Sequence, residues 1–249
     1  MTFGLGIRVQ EGLLAIADTR ITSGTEVTQA RKIRVYEHDD RAFFILASGL
    51  RSVRDKALTY FDAFLEDAER PFGHAFEAVN AFAGQVRRVA DEDKAALEVS
   101  GFAFDIHCLI GGQLRHDRTP HLYLLYPEGN WVEIGEGTPY QIVGVGSYGK
   151  PVLDRALRYE DPLRHALKVG LLAFDATHIS ASNVDLPLDV VVFTPNPYRI
   201  VMHRFEADDL TALSRWWQAR IREGVLQLPN EWEDVVFNKL AAAPPIGGP

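Results

Sequence analysis

The feature that most constrains how this chain can fold is a hydrophobic period that switches repeatedly along it. Phe3, Leu5, Ile7 and Val9 alternate with small or polar residues, the period of two of a strand. Gln10-Glu11-Gly12 makes a turn, and Leu13-Leu14-Ala15-Ile16-Ala17 reads as a partner strand buried on both faces. Residues 20–29 are polar and rich in Thr, Ser and Gly, and read as a loop. A second hairpin spans residues 32–36 and 42–47 around the acidic turn His38-Asp39-Asp40, and Ser48-Gly49 ends it. The period then becomes helical. Val53, Ala57, Leu58, Phe61 and Phe64-Leu65 mark one helix up to Pro71, and Phe76, Val79, Phe82 and Val86 mark another ending near Asp91. Strands return at residues 101–110, 121–126, 131–134 and 140–145, followed by a helical pair at 151–159 and 162–181. A last hairpin, 188–193 with 198–203, turns at Thr194-Pro195-Asn196-Pro197. Leu210, Leu213, Trp216-Trp217 and Ile221 then mark a final helix, and residues 241–249, small and Pro- and Gly-rich, read as a frayed end. Antiparallel hairpins alternating with paired helices predict two stacked sheets with helices outside.

Composition narrows the function. The 249 residues carry a net charge of −8, which argues against nucleic acid as the main partner. No run approaches the roughly 18 apolar residues of a membrane span, and the start has no basic segment of a signal peptide. Cys108 is the only cysteine, so an internal disulfide or multi-cysteine zinc site is excluded and a reducing cytoplasm is the expected setting.

Two motifs invite a binding reading. Gly144-Val145-Gly146-Ser147-Tyr148-Gly149-Lys150 fits both G-x-G-x-x-G and G-x-x-x-x-G-K. Pro151 stands where the second pattern needs Ser or Thr, and Glu160 and Asp161 follow no intervening strand, as the first would require. A glycine turn that lets the next helix approach the sheet explains the motif better. Asp105, His107, Cys108, His116 and His121 could be gathered as a metal site, but Asp105 and Cys108 fall on opposite faces of a strand and no ligand spacing is present. No metal and no cofactor are expected.

The chemistry we expect begins at Thr2. Removal of Met1 would give Thr2 a free α-amine, so that hydroxyl and proton acceptor sit on one residue. Asp18 ends the second strand and Lys32 starts the third, positions that hairpin pairing can bring beside Thr2. Together they would favour an alkoxide-like hydroxyl; a buried structural ion pair is the alternative. Gly49, where strand turns to helix, offers an amide for an oxyanion.

These residues resemble those of the proteasome-type N-terminal nucleophile hydrolases, and most of all the bacterial ancestral β-subunit group, Anbu. The resemblance runs from residue 2 to about 204. It is carried by Thr2, Gly12 with Asp18-Thr19-Arg20, Arg31-Lys32, Ala47-Ser48-Gly49, the segment from His121 to Gly129, and Gly144-Val145-Gly146-Ser147. It implies an α+β fold, a four-layer αββα sandwich over residues 1–204, with residues 205–249 a helical extension used in subunit contacts. It also implies a threonine-type amide hydrolase in a homo-oligomeric ring or open ring, acting on peptide or unfolded protein, with a gating partner. Thr2 would be the nucleophile, Asp18 and Lys32 its activating pair, Gly49 the oxyanion amide, and Ser147 a holder of the amine and a water. The pocket beside the nucleophile would take Ile21, Ala30, Ala47 and Arg51, where an inward Arg51 favours an acidic side chain. The chain departs from the family at Ser180-Ala181-Ser182-Asn183, where proteasomes carry an Asp and a Ser three residues apart. That departure keeps open an inactive assembly protein that retains the fold.

Overall fold

The alternation at the start of the chain becomes β1 (Phe3–Val9), paired antiparallel with β2 (Gly12–Asp18) through partners such as Gly4 with Ala17 and Arg8 with Leu13. The computed structural model describes residues 2–23, 26–38, 41–67 and 72–242; Met1, the turn residues Asp39 and Asp40, and residues 243–249 of the expected frayed end lie outside them. Residues 20–29, expected as a loop, instead form the two-stranded hairpin β3 (Arg20–Ser23) and β4 (Glu26–Gln29). Exposure along all of β4 explains the miss, because no buried face imposes an apolar alternation there. β5 (Ile33–His38) and β6 (Arg41–Gly49) form the next hairpin.

The helices α1 (Arg51–Asp67) and α2 (Ala75–Val99) follow. α2 continues well past Asp91, the expected end, into residues that are mostly exposed and so show no apolar stripe. The strand expected at 101–110 therefore begins later, as β7 (Ile106–Gln113), and leads into β8 (His121–Leu125), β9 (Trp131–Glu133) and β10 (Tyr140–Gly144). Then come α3 (Lys150–Ala156), α4 (Leu163–Ser180) and the hairpin β11 (Leu188–Pro195) with β12 (Tyr198–Phe205).

Two five-stranded antiparallel sheets result, in the orders β10-β1-β2-β11-β12 and β5-β6-β7-β8-β9. Phe44, Leu46, Leu109 and Leu122 of one sheet share a buried cluster with Leu13, Ala15, Val191 and Phe193 of the other. On its opposite face the second sheet buries Phe43, Ile45, Cys108 and Ile110 against Val53, Phe61, Val79 and Phe82 of α1 and α2. α4 contacts β1 and β2. Each of these large side chains is worth about 1.5–3 kcal/mol when fully buried, which fixes the register of every strand that carries one.

The chain divides into two compact units, Met1–Asp209 and Leu210–Pro249. The second holds most of α5 (Ala207–Leu226) and all of α6 (Glu231–Ala242), a helix not expected from the sequence, whose last two residues fall in the expected frayed end. Trp216, Val225, Trp232, Val236 and Phe237 in it are exposed. Among the described residues no helix is long and apolar enough to cross a membrane.

Candidate active site

Hairpin pairing brings the start of β1 to the end of β2, and the backbone closes the arrangement on Thr2. The Phe3 amide donates to Asp18 Oδ1 at 2.8 Å, and Lys32 Nζ donates to the same oxygen at 2.8 Å. Lys32 Nζ also donates to the Arg20 carbonyl at 2.8 Å, while its own carbonyl accepts from the Ala47 amide at 2.9 Å. One carboxylate oxygen thus ties the residue after Thr2 to the ammonium of Lys32. The second, Asp18 Oδ2, is buried with no hydrogen-bond partner among the described residues.

Thr2, Asp18 and Lys32 are 6%, 0% and 4% exposed. Burial pushes the Asp18 carboxyl above its ordinary range, against the attraction of Lys32, and pushes the Lys32 ammonium down, against the attraction of Asp18. The nearby Arg54 charge lowers Lys32 further. A lowered lysine has a definite sign in stability. Between its folded pKa and the ordinary 10.5, the unfolded chain holds a proton that the folded chain does not. Unfolding free energy from this group therefore rises as pH rises through that window. Denaturant titrations at pH 7 and pH 10 should show the difference between wild type and Lys32→Ala growing in favour of wild type. A difference independent of pH contradicts the lowered pKa.

Thr2 is held from the other side by β10. The Val145 amide donates to the Thr2 carbonyl at 2.7 Å, and Phe3 pairs with Gly144. Gly144 has φ +84° and lies so close that a Cβ there would be 1.9 Å from the Thr2 carbonyl oxygen. The glycine motif at 144–150 therefore serves an approach of backbone to Thr2. β10 is antiparallel to β1, and α3 leads directly into α4, so the strand–helix–parallel strand context of a dinucleotide site is missing. Gly49 has φ +124°, and a Cβ there would meet the Asp105 carbonyl oxygen at 2.3 Å.

Thr2 is the shared wall of two cavities. The larger, about 830 Å³, takes in Ser48, Gly49, Asp105, His107, Tyr126 and Gln141 among its lining. The smaller, about 370 Å³, takes in Arg20, Ile21, Glu26, Lys32, Arg51 and Arg54. Gly49 lines both. Ile21 and Arg51 of the expected pocket are thus beside Thr2. Ala30 and Ala47 line neither cavity: strand alternation turns Ala47 toward α1 and α2, where it is 1% exposed in the core, while its neighbour Ser48 faces the larger cavity. Ser147 is exposed in the turn before α3 and also lines neither.

Three features of the site were missed from sequence. Arg54 is 6% exposed and bonds Asp55 through Nε at 2.9 Å and Nη2 at 2.7 Å. Its spacing to Ala57, Leu58 and Phe61 places it on the buried stripe of α1, which is the signal that could have found it. Asp105 accepts or shares a proton with His107 Nδ1 at 3.0 Å on the rim of the larger cavity. Arg20 Nη1 donates to Asp185 Oδ2 at 2.9 Å, which ties the start of β3 to the segment between α4 and β11. Of the histidines considered with Asp105 as metal ligands, only His107 stays beside it: His121 meets Glu133 at 2.7 Å and His116 lies against His74. Among the described residues no three His, Cys, Asp or Glu side chains are placed to hold a metal. Cys108 is fully buried, and burial pushes its thiol well up.

No protein-family model and no curated protein matches the chain. Solved structures do. An Anbu (Gly-1) mutant from Hyphomicrobium sp. strain MC1 is 28% identical, with a TM-score of 0.84 over 91% of this chain and 99% of that one. Anbu (ancestral β-subunit) from Yersinia bercovieri is 25% identical, with a TM-score of 0.82 over 91% and 97%. A helical assembly of the Anbu complex from Pseudomonas aeruginosa is 25% identical, with a TM-score of 0.85 over 91% and 97%. By these likenesses the chain has a proteasome-related N-terminal nucleophile hydrolase fold and stands close to the Anbu family.

Proposed function

We propose that this chain is an N-terminal threonine hydrolase of peptide bonds, working in the cytoplasm within a self-assembled homo-oligomer. The observation that carries the reading is the junction at Asp18 Oδ1, where the Phe3 amide and Lys32 Nζ meet one buried oxygen beside a residue that fronts two cavities. The αββα layering implied by the family agrees with α1 and α2 on one sheet, α4 on the other, and a shared core between the sheets.

In this reading, loss of Met1 frees the α-amine of Thr2. The Thr2 hydroxyl attacks the substrate carbonyl while the α-amine takes its proton. The Lys32 charge, oriented by Asp18, stabilises oxygen as negative charge develops, and the Gly49 amide binds the tetrahedral oxyanion. As the C–N bond breaks, the α-amine returns the proton to the leaving amine. Water then cleaves the ester and regenerates Thr2. Ser147, two residues past Val145, which bonds the Thr2 carbonyl, would hold the amine and that water. The exposed apolar side chains of α5 and α6 support residues 205–249 as the part that meets neighbouring copies, and the assembly described for the Pseudomonas aeruginosa protein favours self-association.

Intact mass spectrometry after treatment with a peptide epoxyketone tests the proposal. The expected result is a chain lacking Met1 with one adduct on Thr2, abolished by Thr2→Ala. Retained Met1 with no adduct sinks it and leaves a non-catalytic assembly protein, the reading that the altered residues 180–183 favour.

A further inference from the structure

The two cavities that Thr2 separates differ sharply in charge. The larger has Asp105 and His107 in its lining and, among the described residues, no Lys or Arg. The smaller has Arg20, Lys32, Arg51 and Arg54, with Glu26 the one acidic lining residue among the described residues. Burial gives this difference weight, since Lys32 is 4% and Arg54 6% exposed, and a buried cation needs an anion or acceptors to replace its water.

The acceptors already present are unevenly shared. Asp18 serves Lys32 at 2.8 Å and Asp185 serves Arg20 at 2.9 Å. Asp55 alone serves two guanidinium groups, Arg51 at 3.2 Å and Arg54 at 2.7 Å. Asp55 and Asp185 are themselves about half exposed, with side chains at 49% and 42%, so water screens much of their charge. Arg20 Nε is buried with no acceptor among the described residues. An incoming carboxylate would meet guanidinium groups beside the buried Lys32 and Arg54, where charge-assisted bonds are stronger than at a fully solvated surface.

We propose that the 370 Å³ cavity beside Thr2 is a subsite for an acidic side chain, so that cleavage falls after glutamate or aspartate. The proposal rests on the threonine hydrolase reading and adds the substrate class to it. Arg54 and Lys32 form the buried wall, and the half-exposed Arg51 completes the recess from the start of α1.

Binding and cleavage are measured separately. C-terminally amidated acetyl-tripeptides ending in Glu, Gln or Leu are titrated calorimetrically into the full-length Thr2→Ala protein, which cannot turn over by the proposed route. The Glu peptide should bind about tenfold or more tightly than its Gln isostere, the factor that one charge-assisted hydrogen bond supplies. Arg51→Glu, an exposed change that leaves the core intact, should erase that preference, and Arg54→Gln should do the same where it folds. Equal or weaker binding of the Glu peptide, or a preference that survives Arg51→Glu, overturns the subsite. The wild-type protein is then given fluorogenic peptides. Cleavage after Leu but not after Glu overturns the subsite and leaves the hydrolase standing. Selective Glu binding with no cleavage of any peptide supports the subsite and removes the hydrolase.

Discussion

Replacing Lys32 with Ala is expected to abolish Thr2-dependent cleavage and, separately, to lower unfolding free energy by about 3–5 kcal/mol, the usual effect of stranding one member of a buried ion pair. The geometry explains the size. Asp18 is fully buried, and its Oδ1 accepts from Lys32 Nζ and from the Phe3 amide, while Oδ2 has no partner among the described residues. Without the ammonium, the carboxylate keeps only neutral backbone donors in an environment that already raises its pKa. It would take up a proton on folding, and the tie between β1, β2 and the start of β5 would weaken. The stability loss and the activity loss separate in a double variant. Asp18→Asn with Lys32→Met removes both charges at similar volume, and should recover most of the stability with none of the cleavage. Urea unfolding and the epoxyketone adduct on Thr2 give the two readouts. A Lys32→Ala protein as stable as wild type would contradict a buried pair, and unchanged turnover would take Lys32 out of the mechanism.

How much of this was legible in the sequence depends on whether burial left a pattern. β1, β2, β6 and the first turns of α1 and α2 were read correctly because each presents a fixed face to a core, which forces a period of two or 3.6. β3 and β4 were read as a loop because they pair mainly through backbone, and Val27, the one large apolar residue of β4, is 54% exposed. The last part of α2 and all of α6 carry no buried stripe, so their lengths could not be read from periodicity. Strand ends and hairpin pairing predicted that Thr2, Asp18, Lys32 and Gly49 would converge, and the structure brings them together. Ala47 was misplaced by one step of strand alternation: its neighbour Ser48 has the cavity face. Arg54 was passed over because a charged residue on an apolar stripe reads as an interruption. Its burial among Lys32, Arg51 and Asp55 makes it part of the cavity wall. Charge at a core position was the available signal, and it points to function more often than charge on a solvated face.

Gly144→Ala is expected to be the most damaging small substitution at the site. A Cβ built there lies 1.9 Å from the Thr2 carbonyl oxygen, 2.8 Å from the Thr2 carbonyl carbon and 3.3 Å from Ser48 Oγ. The first two are backbone atoms of Thr2, the residue before β1, and cannot swing aside like a side-chain tip. Residue 144 also has φ +84°, a conformation that costs an L-residue about 1–2 kcal/mol. Relief requires the end of β10 to move off the start of β1, which breaks the bond from the Val145 amide to the Thr2 carbonyl, worth about 1 kcal/mol. A total of about 2–3 kcal/mol follows, and the larger effect is on chemistry. A nucleophile displaced by about 1 Å can lose about a hundredfold in rate, so Thr2 labelling should fall at least that far while the two sheets remain folded by circular dichroism. Gly146→Ala supplies the contrast. It belongs to the same motif, but the three atoms nearest its Cβ are all in the Ile142 side chain, at 3.4 Å or more, which is ordinary contact. It should leave stability within about 0.5 kcal/mol and labelling nearly unchanged. A phosphate-cradling loop would need both glycines for backbone approach to its ligand, whereas a strand end pressed against Thr2 needs only Gly144. Equal damage from the two substitutions would therefore reopen the loop as a binding element, and damage confined to Gly144 would assign the motif to the placement of Thr2.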